Sequence, residues 1–171
     1  YYRFKKAAKD EYPFMLELFS RLPDMLDLAE DSDLTPLPAE GDISSLSAIL
    51  VNDDYYAFIR AGKRDADGIS YLGPEHILPL KARAWIDLSN RRTAGEQIDR
   101  NAIKKHVNDV FRLYRIVNPE FEGEVPEGIK KDLRMFLARV RTEKVDLKTL
   151  GLGGAHLNAV LDELARIYGL E

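Results

Sequence analysis

The sequence has no cysteine among its 171 residues. Disulfide bonds and thiolate metal sites are therefore excluded, and nothing in the composition indicates a secreted protein. Histidine is also scarce, because only His76, His106 and His156 are present, too scattered to predict a histidine-rich zinc site. No apolar run is long enough to predict a membrane-spanning helix, and no signal peptide is visible. The composition predicts a cytoplasmic protein that does not interact with membranes.

The residues that are present have ordinary globular proportions, with 45% hydrophobic and 32% charged residues. The length fits one domain, or one domain with a small appendage. The chain does not begin with methionine, so we expect it to be part of a longer protein.

The net charge of −4 is unevenly distributed along the chain. Residues 10–54 are strongly acidic, whereas residues 81–115 are net basic. This basic segment contains Lys81, Arg83, Arg91, Arg92, Arg100, Lys104, Lys105, Arg112 and Arg115. Two interpretations are open: a solvated mixture of helix faces, or a basic surface that faces an anionic ligand.

The stretch "YPFMLELFSR", residues 12–21, contains one carboxylate, Glu17, within an apolar run. Such a run predicts a strand that is buried on at least one side. Glu17 would then lie between two large apolar neighbours, Met15 and Phe19, on the same face of the strand. A buried carboxylate needs a cation, a metal or hydrogen-bond donors.

The N-terminal part predicts a hairpin of strands at residues 1–6 and 14–19, followed by a long acidic connection over residues 22–44. Residues 44–51 fit either a strand or a helix. A short helix is predicted over residues 55–61, after the start signal Asn52-Asp53-Asp54 and before Gly62. Asp67-Gly68 predicts a turn into a strand at residues 69–72.

From Pro74 onward the apolar periodicity becomes helical. Helices are predicted over residues 74–89, 100–117 (capped by Asp99), from 126 to about 140, and 155–168. A β-rich N-terminal portion followed by a helical C-terminal half predicts an α+β fold.

Lys81 lies on the helical stripe that Trp85 and Leu88 are expected to bury. One interpretation is that the lysine stem covers apolar surface while the ammonium reaches water. The alternative is an anion-facing lysine at the rim of a cleft, for which phosphate is a natural partner.

In the next helix, Lys105, Asp109 and Arg112 share a stripe and are close enough for a charge network. Most such sets are weak surface pairs. His106 fits a partly buried structural histidine. Two further motifs are weak: Asp65-Ala66-Asp67 resembles a metal-binding pair but precedes a turn glycine. The glycine-rich residues 151–154 lack the lysine of a P-loop and predict a flexible junction.

Together, "YPFMLELFSR", "LGPEHILPLKARAWIDL" and "IDRNAIKKHVNDVFRL" resemble bacterial proteins of the nucleotidyltransferase superfamily, especially the AbiEii toxin-like group. The resemblance covers about residues 1–117. It implies that residues 1–72 are the C-terminal part of a nucleotidyltransferase-like core and that residues 73–171 form a helical region packed on it. It also implies transfer of NMP from an NTP, with Mg²⁺, to an RNA or protein acceptor, and a possible cognate antitoxin as partner.

The same resemblance assigns roles to single residues. Glu17 matches the third metal-side carboxylate, Lys81 the lysine that contacts the triphosphate, and Lys105 with Asp109 the supporting groups of the later helix motif. The resemblance thus gives Glu17, Lys81 and Asp109 as catalytic and Lys81 and Lys105 as nucleotide-binding. Where relatives tend to have a second acid after Asp109, this chain has Arg112.

The Gly-Gly/Ser turn and the D-x-D pair of this superfamily are absent from the sequence and would lie upstream of Tyr1. Two-metal phosphoryl transfer needs carboxylates to hold the metal ions. The chain by itself is therefore expected to be catalytically incomplete. The competing hypothesis is a non-catalytic nucleotide- or partner-binding module that retains the fold.

Overall fold

The computed structural model describes the backbone of five N-terminal strands, within residues 3–5, 15–17, 19–21, 34–37 and 46–51, and residues 52–170 in full. The chain divides into two compact units, Tyr1–Tyr56 and Ala57–Glu171. This division falls before the β-hairpin at residues 63–72, whereas the resemblance implies a boundary between residues 72 and 73.

The strands of the first unit begin with β1 (Arg3–Lys5) and β2 (Met15–Glu17), which pair antiparallel with Phe4 opposite Leu16. This pairing confirms the predicted hairpin, but its second strand ends at Glu17, and Phe19, predicted in the same strand, begins the next one. Next, β3 (Phe19–Arg21) pairs parallel with β5 (Leu46–Val51). The ambiguous segment at residues 44–51 is therefore a strand.

The other neighbour of β5 is β4 (Leu34–Leu37), which pairs with it antiparallel. β4 lies inside the stretch that was predicted to be a connection, so that prediction was wrong for these residues. Its sequence, LTPL, contains Pro36. Proline cannot donate to a ladder and is tolerated on a sheet edge, where β4 lies in the order β3-β5-β4.

Helix α1 (Asp53–Ala61) forms where predicted. The Asn52 side chain accepts a hydrogen bond from the backbone N–H of Tyr55 at 3.0 Å, which caps the first turn. Asp53 and Asp54 lie in that turn, where the helix dipole favours negative charge.

A two-stranded hairpin follows, formed by β6 (Lys63–Ala66) and β7 (Ile69–Leu72). The turn between them confirms the Asp67-Gly68 prediction. Both residues have positive φ, 53° and 77°, as a tight two-residue hairpin turn requires. β6 itself was not predicted, because all four of its residues are exposed and give no apolar alternation.

The four remaining helices confirm the predicted helical half: α2 (Pro74–Thr93), α3 (Arg100–Tyr114), α4 (Glu127–Val140) and α5 (Leu157–Ile167). Pro74 occupies the start of α2. The Asp99 side chain caps α3 by accepting a hydrogen bond from the backbone N–H of Asn101 at 2.9 Å. α2 continues to Thr93, four residues beyond the predicted end at Ser89.

The core of the second unit lies between these helices. α2 and α4 meet where Trp85 packs edge-on against Phe136, with ring centroids 5.3 Å apart. The apolar stripe of α4 is buried. Buried side chains of α2 to α5 include Leu78, Ala82, Ile86, Val107, Val110, Phe111, Ile129, Leu133, Leu137, Val140, Val160, Leu161, Leu164 and Ile167.

Strands and helices in succession make the fold α+β. None of the helices in the described part of the chain combines the length and apolarity needed to cross a bilayer.

Candidate functional site

Lys81 and Asp109, two of the residues singled out in the sequence, lie close together. The Lys81 Nζ atom is 3.8 Å from Asp109 Oδ2, and this ion pair joins α2 to α3. Both side chains are half-buried, with 31% and 20% of their surfaces exposed.

Asp109 also forms an ion pair with Arg112. Its Oδ1 atom accepts a hydrogen bond from the Arg112 guanidinium at 3.0 Å, one turn further along α3. The three side chains form a Lys–Asp–Arg set with one net positive charge. Because Arg112 is largely exposed, its pair with Asp109 is expected to contribute less than about 1 kcal/mol to stability.

The 3.8 Å separation between Lys81 Nζ and Asp109 Oδ2 describes an ion pair without a direct hydrogen bond. It exceeds the range of an N–H···O hydrogen bond, so Asp109 attracts the ammonium without taking one of its three N–H groups. Among the described residues, Lys81 has no hydrogen-bond partner. A half-buried ammonium in this condition can donate to an anionic oxygen of a ligand.

Lys105 lies one helical turn before Asp109 and is exposed. It forms no ion pair with any described residue, so the predicted charge network of α3 holds Arg112 and Asp109 but not Lys105. Its charge still adds to the positive potential beside Lys81.

Glu17 is placed by the backbone alone. It is the last residue of β2 and lies opposite Arg3 in the register. Its side chain lies outside the described residues. Within residues 52–170, no three histidine or carboxylate side chains converge to hold a metal ion. The predicted Mg²⁺ site, which includes Glu17, lies outside these residues and stays a prediction.

In the 65–67 motif, Asp65 stabilises the turn and Asp67 forms part of it. Asp65 Oδ1 accepts a hydrogen bond from the backbone N–H of Gly68 at 3.1 Å, as expected for a turn. At the glycine-rich residues 151–154, Gly151 has a φ of 78° and the Arg115 guanidinium lies over it.

A buried polar cluster around Glu75 was missed in the sequence. Glu75 is only 4% exposed. One carboxylate oxygen accepts from the Arg64 guanidinium at 3.1 Å, and the other accepts from the backbone N–H of Asn118 at 3.1 Å. The carboxylate thus ties the hairpin to the segment after α3. The sequence offered one signal, an acid directly after the helix-starting proline.

The backbone carbonyl of Glu75 is also unusual. Its normal helical donor would be the N–H of residue 79, but Pro79 has none. The Tyr168 hydroxyl donates to this carbonyl at 2.8 Å instead. Burial, with a contribution from the Glu75 charge, raises the pKa of the Tyr168 phenol, so the phenol keeps its proton.

His76 lies beside this cluster and is packed between aromatic rings. Its ring centroid is 4.4 Å from that of Phe58 and 5.5 Å from that of Phe121. Its Nδ1 atom is buried and has no hydrogen-bond partner among the described residues. Burial lowers the pKa of His76, the Arg64 charge lowers it further, and the Glu75 charge opposes both.

Part of the basic segment is neutralised within the fold. The Arg83 guanidinium lies 3.0 Å from the buried Asp132 carboxylate of α4, and Arg91 pairs with Glu96 at 2.8 Å. For these residues the solvated or structural interpretation holds.

No protein-family model, no curated protein and no solved structure matches this chain. The resemblance to nucleotidyltransferases therefore rests on the three sequence segments alone.

Proposed function

We propose that this chain is part of a nucleotidyltransferase-like protein and that Lys81 contacts the triphosphate of an NTP. One observation supports this above others. Lys81 and Asp109, which stand in two separate motifs of the resemblance, meet across α2 and α3 with the ammonium half-buried. Neither the apolar stripe of α2 nor the charge pattern of α3 predicted that these two side chains would lie close together.

The chemistry of the set suits a phosphate ligand. Asp109 restrains the lysine, whose flexible stem otherwise loses rotamer freedom on binding. The ammonium keeps its donors for phosphate oxygens, and charge-assisted hydrogen bonds to such oxygens are about twice as strong as neutral ones. Lys105 and Arg112 keep the surroundings positive beside the single carboxylate.

The wider proposal concerns the parent protein. It would transfer NMP to an RNA or protein acceptor in the cytoplasm, with Glu17 as a metal-side carboxylate and an antitoxin as a possible partner. Bound Mg²⁺ supplies Lewis-acid stabilisation of the transferred phosphoryl group in such reactions. The residues of this chain that we assign are those that bind and orient the triphosphate.

The test is nucleotide binding by isothermal titration calorimetry, with each of the four NTPs titrated into the 171-residue chain. Lys81→Met keeps most of the apolar stem and removes the charge. Loss of a charge-assisted hydrogen bond worth about 1.5–3 kcal/mol weakens Kd by about 10- to 150-fold. Lys131→Met is the matched control, because Lys131 is exposed on α4.

Equal affinity of the Lys81→Met variant and the control for NTP would contradict the assignment. A different result distinguishes the non-catalytic alternative from an enzyme. A chain that binds NTP in a Lys81-dependent manner, within a parent that lacks an upstream D-x-D pair and transfers no NMP, is a binding module rather than an enzyme.

A further inference from the structure

The chain between α3 and α4, at residues 118–125, forms a strap that belongs to no helix or strand. Two hydrogen bonds hold its first residues. The Asn118 backbone N–H donates to the Glu75 carboxylate at 3.1 Å. The Pro119 carbonyl accepts from the Arg166 guanidinium at 3.0 Å. Because both partners are side chains, the strap lacks a backbone ladder to a neighbouring element, and segments of this kind open at a lower free energy than helices in a core.

The third contact of the strap is aromatic. The Phe121 ring meets the His76 ring edge-on at a centroid distance of 5.5 Å, and it lies 6.0 Å from the Tyr168 ring. The His76 ring also lies 4.4 Å from the Phe58 ring, and an added Cβ at Gly62 would be 2.1 Å from it. His76 therefore packs against both α1 and the strap, and only 8% of it is exposed.

A neutral imidazole fits this site, whereas an imidazolium does not. In the neutral ring only one nitrogen carries a proton, so Nδ1 of His76 can be the unprotonated one. An imidazolium carries a proton on both nitrogens, and the Nδ1–H group would be buried with no acceptor among the described residues. A buried charged donor without a partner costs more than a buried neutral acceptor without one.

The groups that face His76 do not remove this conflict. Glu75 favours the protonated ring, but its oxygens already accept from Arg64 and from the Asn118 N–H. Burial outweighs the Glu75 charge and, together with the Arg64 charge, lowers the pKa of His76. The contacts from α1 are uncharged, and the Tyr168 phenol of α5 keeps its proton. The carboxylates of the strap are exposed: Glu120, Glu122 and Glu124.

We propose that His76 and the strap form a pH-dependent latch, in which protonation of His76 detaches the strap while the helices stay folded. Detachment of Phe121 admits water to the His76 ring, and water supplies the acceptors that an imidazolium needs. The strap yields before α1 does, because α1 is held by its own backbone hydrogen bonds and the strap by side chains.

The direction and size of the effect follow from proton binding. In the open state His76 is solvated, with the ordinary histidine pKa of about 6.5, whereas its pKa is lowered in the closed state. The open state binds more protons, so the opening constant rises as the pH falls below about 6.5. With the closed form neutral, one proton raises that constant about tenfold between pH 7.5 and pH 5.5.

The experiment is amide hydrogen exchange of the 171-residue chain followed by NMR at these two pH values, with the intrinsic exchange rates divided out. The Asn118 amide reports on the strap, and its protection is expected to fall about tenfold at pH 5.5. The control is the Leu152 amide, bonded to the Leu147 carbonyl between α4 and α5, and its protection should not change. The amide of the fully buried Phe136 reports on global unfolding.

Local opening has its own signature in this experiment. The Asn118 amide should be less protected than that of Phe136 and insensitive to sub-denaturing urea, because local opening exposes little surface. In the His76→Gln variant, which has no titrating group at this position, Asn118 protection should be equal at both pH values. His156→Gln, at an exposed histidine, should keep the tenfold change.

Three results would overturn the proposal: a change that persists in His76→Gln, Asn118 protection that is absent or independent of pH in the unmodified chain, or Asn118 protection equal to that of Phe136. If His76→Gln does not fold, NMR titration of the histidines in the unmodified chain decides. His76 must then titrate at a lower pH than His156, and a midpoint at or above that of His156 refutes the latch. None of these residues is assigned to NTP binding, so the outcome is independent of the Lys81→Met test.

Discussion

Replacing Tyr168 by phenylalanine removes one hydroxyl from the buried end of α5. The ring contact with Phe121, at a centroid distance of 6.0 Å, is preserved by the new side chain. What is lost is the donor to the Glu75 carbonyl. Because Pro79 supplies no N–H, the carbonyl is left without its helical donor as well.

The size of the effect follows from the loss of both possible donors to the Glu75 carbonyl. An ordinary hydrogen bond contributes about 1 kcal/mol, but a buried acceptor left unsatisfied costs about 1–3 kcal/mol. We expect Tyr168→Phe to lower the free energy of unfolding by that amount. The measurement is urea denaturation followed by circular dichroism, with the m-value checked for constancy.

A double-mutant cycle tests the reason as well as the magnitude. Pro79→Ala provides an N–H for the Glu75 carbonyl, so Tyr168→Phe should cost at least about 1 kcal/mol less in that background. Tyr114→Phe is the control, because the Tyr114 hydroxyl has no hydrogen-bond partner among the described residues. An equal cost in both backgrounds would refute the argument from the missing proline donor.

Three further predictions concern the same half of the chain. In the unmodified chain the pKa of His76 is lowered in the fold, so the unfolded chain binds more protons and stability falls as the pH drops below about 6.5. His76→Phe removes this group and should therefore flatten the pH dependence of stability. Gly62→Ala should destabilise by about 1–3 kcal/mol, because an added Cβ would lie 2.1 Å from the His76 ring. Arg83→Met should cost about 1 kcal/mol, since Arg83 is half exposed although Asp132 is buried.

The first two of these have a control variant in the chain, and the third has a control in the salt concentration. Denaturation from pH 5 to 8 should show an unchanged pH dependence in the exposed His156→Gln variant. Gly154→Ala should be neutral, because nothing lies within 4 Å of the added Cβ. For Arg83→Met, the cost should persist at high salt if the hydrogen bonds to Asp132 matter more than long-range attraction. A steep pH dependence of stability in the His76→Phe variant, or an unchanged stability of the Gly62→Ala variant, would contradict the packing described around His76.

The helices could be predicted from sequence because their signals are local. The Asp99 cap and the period of Val107 and Val110 act within a few residues of each other. β4 and β6 were missed for local reasons too. Pro36 argued against a strand at β4, and the fully exposed residues of β6 show no apolar alternation.

The Glu75 cluster was missed for a different reason. Its groups come from the hairpin, the segment after α3 and the end of α5, and only folding brings them together. Sequence spacing contains no information on such partners. Pro79 within a helix does predict an unsatisfied carbonyl at Glu75, but it does not identify Tyr168 as the donor.

The predicted site could likewise be only partly identified from the sequence. The helical stripe placed Lys81 at the edge of buried surface and left two interpretations open. The neighbour that restrains it, Asp109, was itself a candidate, yet its pairing with Lys81 depends on how α2 packs on α3. Local pattern gives candidates, and tertiary packing decides which of them meet.

Stability and the proposed site are linked through α2. Lys81 lies two residues after Pro79, in the turn that follows the missing helical hydrogen bond. Tyr168 satisfies the carbonyl at that point, and the Glu75 carboxylate fixes the start of the same helix. The position of the Lys81 ammonium relative to Asp109 therefore depends on contacts that touch neither side chain. On this argument, Tyr168→Phe weakens NTP binding by a small factor beyond its effect on stability, whereas Tyr114→Phe does not.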